Sequence, residues 1–352
     1  MSLLTTSLNN ATINVAQLIH DAQIAKLSKF NLSFSTEQQQ TMLEGTLNNL
    51  LYLKISVDFK DSSIYIYYIK WIYNLLRNHI KNMNIELLQM YLADHYSLVL
   101  EQIPFVFSEE NCEFANELVL QAIATTLSGS CEKEPEDYIN IGSYIENKKV
   151  ILNYLLEKDI QFANAYIKNI FGHICLEDLY TDIIQGVMRE VGELWYQDKI
   201  SVAQEHYCTM AAQTIMAQFY DYLFEHPRRG KKIVIACPGN ELHELGARMI
   251  SDLFEYNGWD SIFLGAAVPI KDILSTIEQE KPQVCALSVC MTQGIPACQM
   301  AVEQIKEKFP DVIVTVGGRA FEEMENVKDK IGTDLYCSTF SLLLHALRAL
   351  GI

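Results

Sequence analysis

No two cysteines stand at Cys-x-x-Cys spacing, basic residues form no long run, and no apolar stretch reaches bilayer length. Each absence removes a class of function. The nine cysteines (Cys112, Cys131, Cys175, Cys208, Cys237, Cys285, Cys290, Cys298, Cys337) are scattered, several of them inside apolar, strand-like runs. A disulfide framework or a zinc site is not expected from that pattern, and reduced thiols of a cytoplasmic protein are. Lys and Arg number 27 against 44 Asp and Glu, a net charge of −17. A broadly acidic surface repels phosphate backbones, so direct binding of nucleic acid is not expected. The short run Arg228-Arg229-Gly230-Lys231-Lys232 reads as a linker. The most apolar early stretch, Ile64 to Leu76, is broken by Lys70 and too short to cross a bilayer. The first residues lack the basic start and apolar core of a signal peptide.

What is present suits two or three domains: 352 residues, 49% of them apolar. Residues 1-127 read as helices, with apolar side chains recurring every three or four positions, as in Ile64, Tyr67, Tyr68, Trp71, Ile72, Leu75 and Leu76. Residues 128-144, polar and carrying Gly and Pro, read as a linker. Residues 145-228 read as a four-helix bundle with breaks near Glu157-Lys158-Asp159, Gly172-His173 and Asp198-Lys199.

From residue 231 to residue 352 the pattern changes. Apolar runs at Ile233 to Cys237, Ser261 to Leu264, Val284 to Val289 and Val312 to Val316 alternate with helices at Leu245 to Tyr256, Ile270 to Gln279, Pro296 to Lys308 and Phe340 to Leu350. Short apolar strands alternating with helices imply a parallel sheet covered on both faces. The expected fold class is therefore α and α/β: an all-helical N-terminal domain, a four-helix bundle, then a doubly wound, flavodoxin-like (Rossmann-like) sheet. Its ligand belongs at the carboxyl ends of the strands.

The loop after the first strand reads Pro238-Gly239-Asn240-Glu241-Leu242-His243-Glu244-Leu245-Gly246. A lone Glu-x-His-x-x-Gly is weak, and a surface histidine beside a helix start explains it equally well. Two further features change the weighing. Forty-one residues separate Gly246 from Ser288-Val289-Cys290, and 26 separate Cys290 from Gly317-Gly318. All three groups fall at strand ends on one sheet edge. This spacing resembles the cobalamin-binding signature Asp-x-His-x-x-Gly, Ser-x-Leu, Gly-Gly, with Glu241 for Asp and Cys290 for Leu. The resemblance implies that the cofactor's own base leaves the cobalt and that His243 takes its place as metal ligand. Glu241 would then accept the other ring N–H and fix the tautomer. Gly246 would let the loop pass close under the corrin, Ser288 would supply a small hydroxyl, and Gly317 and Gly318 would leave room for the displaced base. Gly265 and Thr292 would border the same channel.

Within the bundle, Trp195 precedes Glu205-His206 by nine intervening residues. A core tryptophan and a surface pair would each be unremarkable alone. Together they resemble the Trp-x9-Glu-His signature of the CarH-type photoreceptors, which sense light through adenosylcobalamin; the resemblance covers about residues 148 to 320. It implies a bundle that caps the cofactor, with Trp195 covering an adenosyl group and Glu205 and His206 hydrogen-bonding it. It also implies release of that group by light. In that family a histidine just after the Trp can then ligate cobalt from above; here the position is Tyr196, with His206, His173 or water as substitutes.

The N-terminal segment lacks the basic DNA-binding domain of such repressors. It reads either as a helical regulatory or dimerisation domain or, by size and by its run Tyr65, Tyr67, Tyr68, Trp71 and Tyr73, as similar to the globin-like, bilin-binding domain of photocobilins. Biliverdin would then be a second cofactor, with His79 and His95 as pocket candidates. The expectation is a homo-oligomeric signalling protein, not an enzyme, acting on an unknown downstream protein. The competing readings are a corrinoid methyl carrier of a methyltransferase system and, with no substrate barrel in the chain, a radical mutase subunit.

Overall fold

The computed structural model describes residues 10–28, 34–80 and 84–352. The remaining residues of the expected N-terminal helical stretch lie outside the described ones. The chain divides into two compact units. One runs to Glu134 and includes Glu323–Glu325; the other comprises Pro135–Glu322 and Asn326–Ile352.

The first unit holds, among the described residues, five helices: α1 (Asn10–Ser28), α2 (Thr36–Asp58), α3 (Ser62–His79), α4 (Ile85–Val106) and α5 (Glu109–Leu127). Polar side chains start them. Ser35 and Gln38 form a reciprocal capping box at α2, and Asp61 and Asn84 cap α3 and α4. The expected aromatic run is the inner face of α3. Tyr65, Tyr68 and Tyr73 are buried, while Tyr67 and Trp71 are half-buried. Tyr68 stacks on Tyr52 at 4.3 Å, and the Tyr65 hydroxyl donates to Asn49 Oδ1 at 3.1 Å. Of the two histidines expected to line a pocket, His95 is buried against Gln23. His79 is exposed and bonded to its own helix at the Leu75 carbonyl, so it lines no interior. A globin packs eight helices; five are described here.

The second unit opens with the bundle: α6 (Ile145–Leu156), α7 (Ile160–Phe171), one continuous helix and α10 (Val202–Met216) with a 3₁₀ extension, Ala217–Phe224. The continuous helix joins α8 (Leu176–Asp178) through a π-helical turn, Leu179–Ile184, to α9 (Gln185–Tyr196). The three breaks of the bundle fall where the charge and glycine pattern put them. Lys158 and Asp198 take left-handed backbone (φ 63° and 56°), and Gly172 caps α7. Ser201 and Gln204 form a capping box that starts α10 immediately before Glu205 and His206.

The sheet is fully parallel, in the order β2 (Asp260–Phe263), β1 (Lys232–Ala236), β3 (Val284–Ser288), β4 (Ile313–Gly317), β5 (Leu335–Tyr336). This is the flavodoxin-like order. Helices α11 (Leu245–Tyr256), α12 (Ile270–Glu280), α13 (Ile295–Lys308) and α15 (Phe340–Ala349) lie within a residue of their expected bounds. The two-residue β5 and the five-residue α14 (Val327–Ile331) carry too little pattern to be read from sequence. Bundle and sheet share one core, in which Phe219 and Leu223 of the 3₁₀ extension pack with Leu253, Phe254 and Trp259. The switch point of the sheet lies between β1 and β3, whose following loops diverge to opposite faces and leave a crevice.

Gly318 closes β4 at φ 106°, ψ 164°, a conformation confined to glycine; a Cβ there would stand 2.2 Å from the Val289 carbonyl oxygen. Gly318→Ala is expected to cost about 3 kcal/mol, the upper end for such strain, or to unfold the sheet domain. An unchanged thermal melt would show that the loop does not hold this shape.

Candidate functional site

The loop after β1 is pinned into a fixed shape before any ligand is considered. Gly239 N–H donates to the Val268 carbonyl at 3.0 Å, and Ala267 N–H donates to the Glu241 carbonyl at 2.8 Å. This turns the Glu241 side chain inward, where it is 1% exposed, and leaves the His243 side chain 57% exposed. Buried carboxylates need partners. Glu241 has four: Oε1 accepts from His243 Nδ1 at 2.6 Å and His243 N at 2.9 Å, and Oε2 accepts from the backbone N–H groups of Cys290 and Met291, each at 2.8 Å. One carboxylate thus joins the loop after β1 to the loop after β3 across the switch point.

Burial alone would raise the Glu241 pKa. The hydrogen bonds from His243 and Met291 outweigh it and hold the group below the ordinary carboxylate value. The same bond is the main cause raising His243 above the usual imidazole value; burial opposes it, and the charges of Glu241 and Glu205 add to it. With Nδ1 engaged by Glu241 and the side chain 57% exposed, Nε2 is the ring nitrogen left for a metal. That is the arrangement of a metal-binding histidine with an orienting carboxylate. The neighbouring thiols do not compete. Burial pushes Cys237 up to about 12 and Cys290 up to about 11, so both are neutral thiols near neutral pH.

The expected site residues gather at this sheet edge. Ser288 and Gly317 are register partners on β3 and β4. Thr292 is buried at the start of the turn after β3. Gly265 accepts from Cys237 N–H at 3.0 Å. A Cβ on Gly246 would meet nothing within 4 Å, so the approach to the His243 loop is open there. A Cβ on Gly317 would stand 3.0 Å from the Cys337 carbonyl oxygen and one on Gly318 2.2 Å from that of Val289, so the backbone crowds both positions. In the cap, Trp195 lies half-buried at the end of α9. Glu205 is bonded to Thr209 Oγ1 at 2.9 Å and to His206 Nδ1 at 2.5 Å. The Glu205 charge acts on His243, which brings cap and loop into one electrostatic neighbourhood. His173 is exposed in the turn after α7. Sequence reasoning missed Cys290 and Met291 as backbone donors, and Gln213, whose amide donates from α10 to Glu244 at 3.5 Å.

Similarity to known proteins agrees with this geometry. The B12 binding domain family matches residues 231–338, and a second B12 binding domain family matches residues 149–220. Trimethylamine corrinoid protein 1 of Methanosarcina acetivorans is 27% identical over 46% of this chain and 76% of its own length. The HTH-type transcriptional repressor CarA of Myxococcus xanthus is 27% identical over 39% of this chain, and CarH of the same organism 23% over 45%. The chain spans about half of each repressor, 46% and 52%. The Methanosarcina barkeri monomethylamine corrinoid protein superposes with a TM-score of 0.52 at 15% identity, over 58% of this chain and 98% of that one, which shows a shared fold. The chain is a cobalamin-binding protein with a helical bundle ahead of its B12 binding domain. Within that class it is similar to the CarA and CarH repressors and to the corrinoid proteins alike.

Glu241→Gln would turn an amide N–H₂ toward donors that need an acceptor, at His243 or at Cys290 and Met291. Loss of such an orienting partner weakens metal binding about 10–100-fold. That loss is expected for hydroxocobalamin titrated by absorbance, and His243→Ala should abolish the histidine-ligated spectrum. Protonated Nε2 cannot bind metal. Histidine ligation should therefore rise as pH increases through the elevated His243 pKa and be lost on acidification below it, with the midpoint moving down in Glu241→Gln. A pH-independent spectrum would contradict the assignment of His243.

Proposed function

We propose that this protein is a light-responsive signalling protein, not an enzyme, which holds adenosylcobalamin with His243 as lower ligand between the bundle and the α/β domain. The observation that carries the reading is the placement of Trp195, Glu205 and His206 at the adjoining ends of α9 and α10, with Glu205 close enough to act electrostatically on His243. The donor set fits the cofactor: an Nε2 left for a metal, an orienting carboxylate and an open approach at Gly246. The bound group supplies a cobalt–carbon bond that light can break. The protein's part is to cover and release. Trp195 offers a flat apolar face, and Glu205 and His206 supply polar atoms for an adenosyl group. Without such a group Trp195 would lose its apolar cover, and the end of α9 would be free to shift. A homo-oligomeric, cytoplasmic protein signalling to a partner protein belongs to the same reading.

Tyr196 stands at the sequence position where the CarH-type signature can carry a histidine, so a second imidazole would have to come from elsewhere. Illumination of the adenosylcobalamin complex is expected to shift the spectrum and release the 5′-deoxyadenosyl group without a bis-imidazole product; Tyr196→His should introduce that product. A bis-imidazole spectrum from the unaltered protein would refute the role given to Tyr196.

A second reading, a corrinoid methyl carrier, is supported by the similarity to the trimethylamine corrinoid protein. Methyl carriage has no need of the Trp195 and Glu205-His206 cap. Preferential binding of methylcobalamin with methyl transfer in the dark would favour it over light sensing. For the N-terminal unit we propose biliverdin binding, with His95 as the pocket histidine. Added biliverdin should give a red-absorbing complex that His95→Ala weakens, and no complex at all would leave a regulatory or dimerisation role.

A further inference from the structure

The stretch Pro135–Tyr144 forms no helix, yet it is not a loose tether. One helix, the continuous 176–196, takes up its polar groups. Tyr138 N–H donates to Glu190 Oε2 at 3.0 Å, Ser143 N–H to Asp182 Oδ2 at 2.9 Å, and the Tyr144 hydroxyl to Asp178 Oδ2 at 2.8 Å. Lys148, 1% exposed, closes the set: its ammonium donates to Asp182 Oδ1 at 2.8 Å and to the Ile141 carbonyl. The fit is close as well as polar. A Cβ on Gly186 would come within 2.9 Å of Lys148 Cδ, so the helix can neither turn nor slide there without pushing Lys148.

The same helix ends at Trp195 and Tyr196. Asp182 and Trp195 are 13 positions apart, about 20 Å at 1.5 Å per residue. A packed helix carries displacement over such a length. The π-helical turn Leu179–Ile184 sits at the fastened end and contains Asp182. Such turns often mark functional positions. A further tie runs to the cofactor side: Arg189, 5.8 Å from the Tyr138 ring, pairs with Glu322 at 2.9 Å, in the segment that follows Gly317 and Gly318.

We propose that residues 135–144 are a transmission strap, which converts movement of the cap helix into movement of the chain leading into the N-terminal unit. Lys148 and Asp182 are the coupling residues. The strap rests on the reading of the cap as the part that responds to the cofactor.

The test is hydrogen exchange, read peptide by peptide on the full chain in three states: free, loaded with adenosylcobalamin in the dark, and illuminated. In the unaltered protein, 135–144 and the N-terminal helices should change exchange several-fold together with 185–196. In Lys148→Met and in Asp182→Asn the change at 185–196 should persist while that at 135–144 and beyond disappears. An unaltered hydroxocobalamin spectrum shows that each variant keeps its site. A response confined to 185–196 in the unaltered protein, or full transmission in the variants, overturns the strap. If cofactor and light leave 185–196 unchanged, the reading of the cap fails by itself, and the strap is tested through Gly186→Ala in the free protein. There the added methyl pushes Lys148 directly and should speed exchange at 135–144 and in the N-terminal helices. No effect on those helices overturns the proposal.

Discussion

The site depends on one buried carboxylate that accepts four hydrogen bonds. Glu241 is costly to bury and is kept because two loops close around it. Remove its charge, and the loop after β1 loses the clamp to the loop after β3. With the clamp go the tautomer and direction of His243. The substitutions from the family signature become intelligible on this basis. The longer side chain at Glu241 still reaches both His243 and the β3 loop. Cys290 can replace leucine because its contribution is a backbone N–H, which every residue but proline possesses.

Above this clamp sits a cap that is part of the same compact unit. Its helices meet the sheet through a common apolar core, and the Gln213–Glu244 bond links α10 to the residue beside His243. The 176–196 helix is fastened by polar bonds at Asp178, Asp182 and Glu190 and carries Trp195 near its C-terminal end.

Much of this was legible in the residue pattern. The α/β half announced itself because four short apolar runs alternate with amphipathic helices, and their bounds agree closely with the structure. The bundle breaks were legible because Lys158, Gly172 and Asp198 sit where helical periodicity stops. Two things resisted. The short β5 and α14 contain too few residues to set a period. The close backbone of Val289 and Cys337 around Gly318 and Gly317 is not something that side-chain spacing reveals.

Sequence alone determined which groups have the chemistry: an imidazole two residues after a carboxylate, small residues at the later strand ends, and a tryptophan separated from Glu205-His206 by nine residues. Their spacing carries this because each group lies at an element end that local pattern defines. Only the tertiary structure decided what holds them. The partners of Glu241 on the β3 loop lie 49 and 50 residues away and are backbone N–H groups, identical in almost every residue. Strand order, with β1 beside β3, brings them within reach. The fastening of 135–144 is of the same kind. A stretch polar enough to be read as a linker is bound because carboxylates some 40 to 50 residues further on fold back against it. No local feature of the sequence records that meeting.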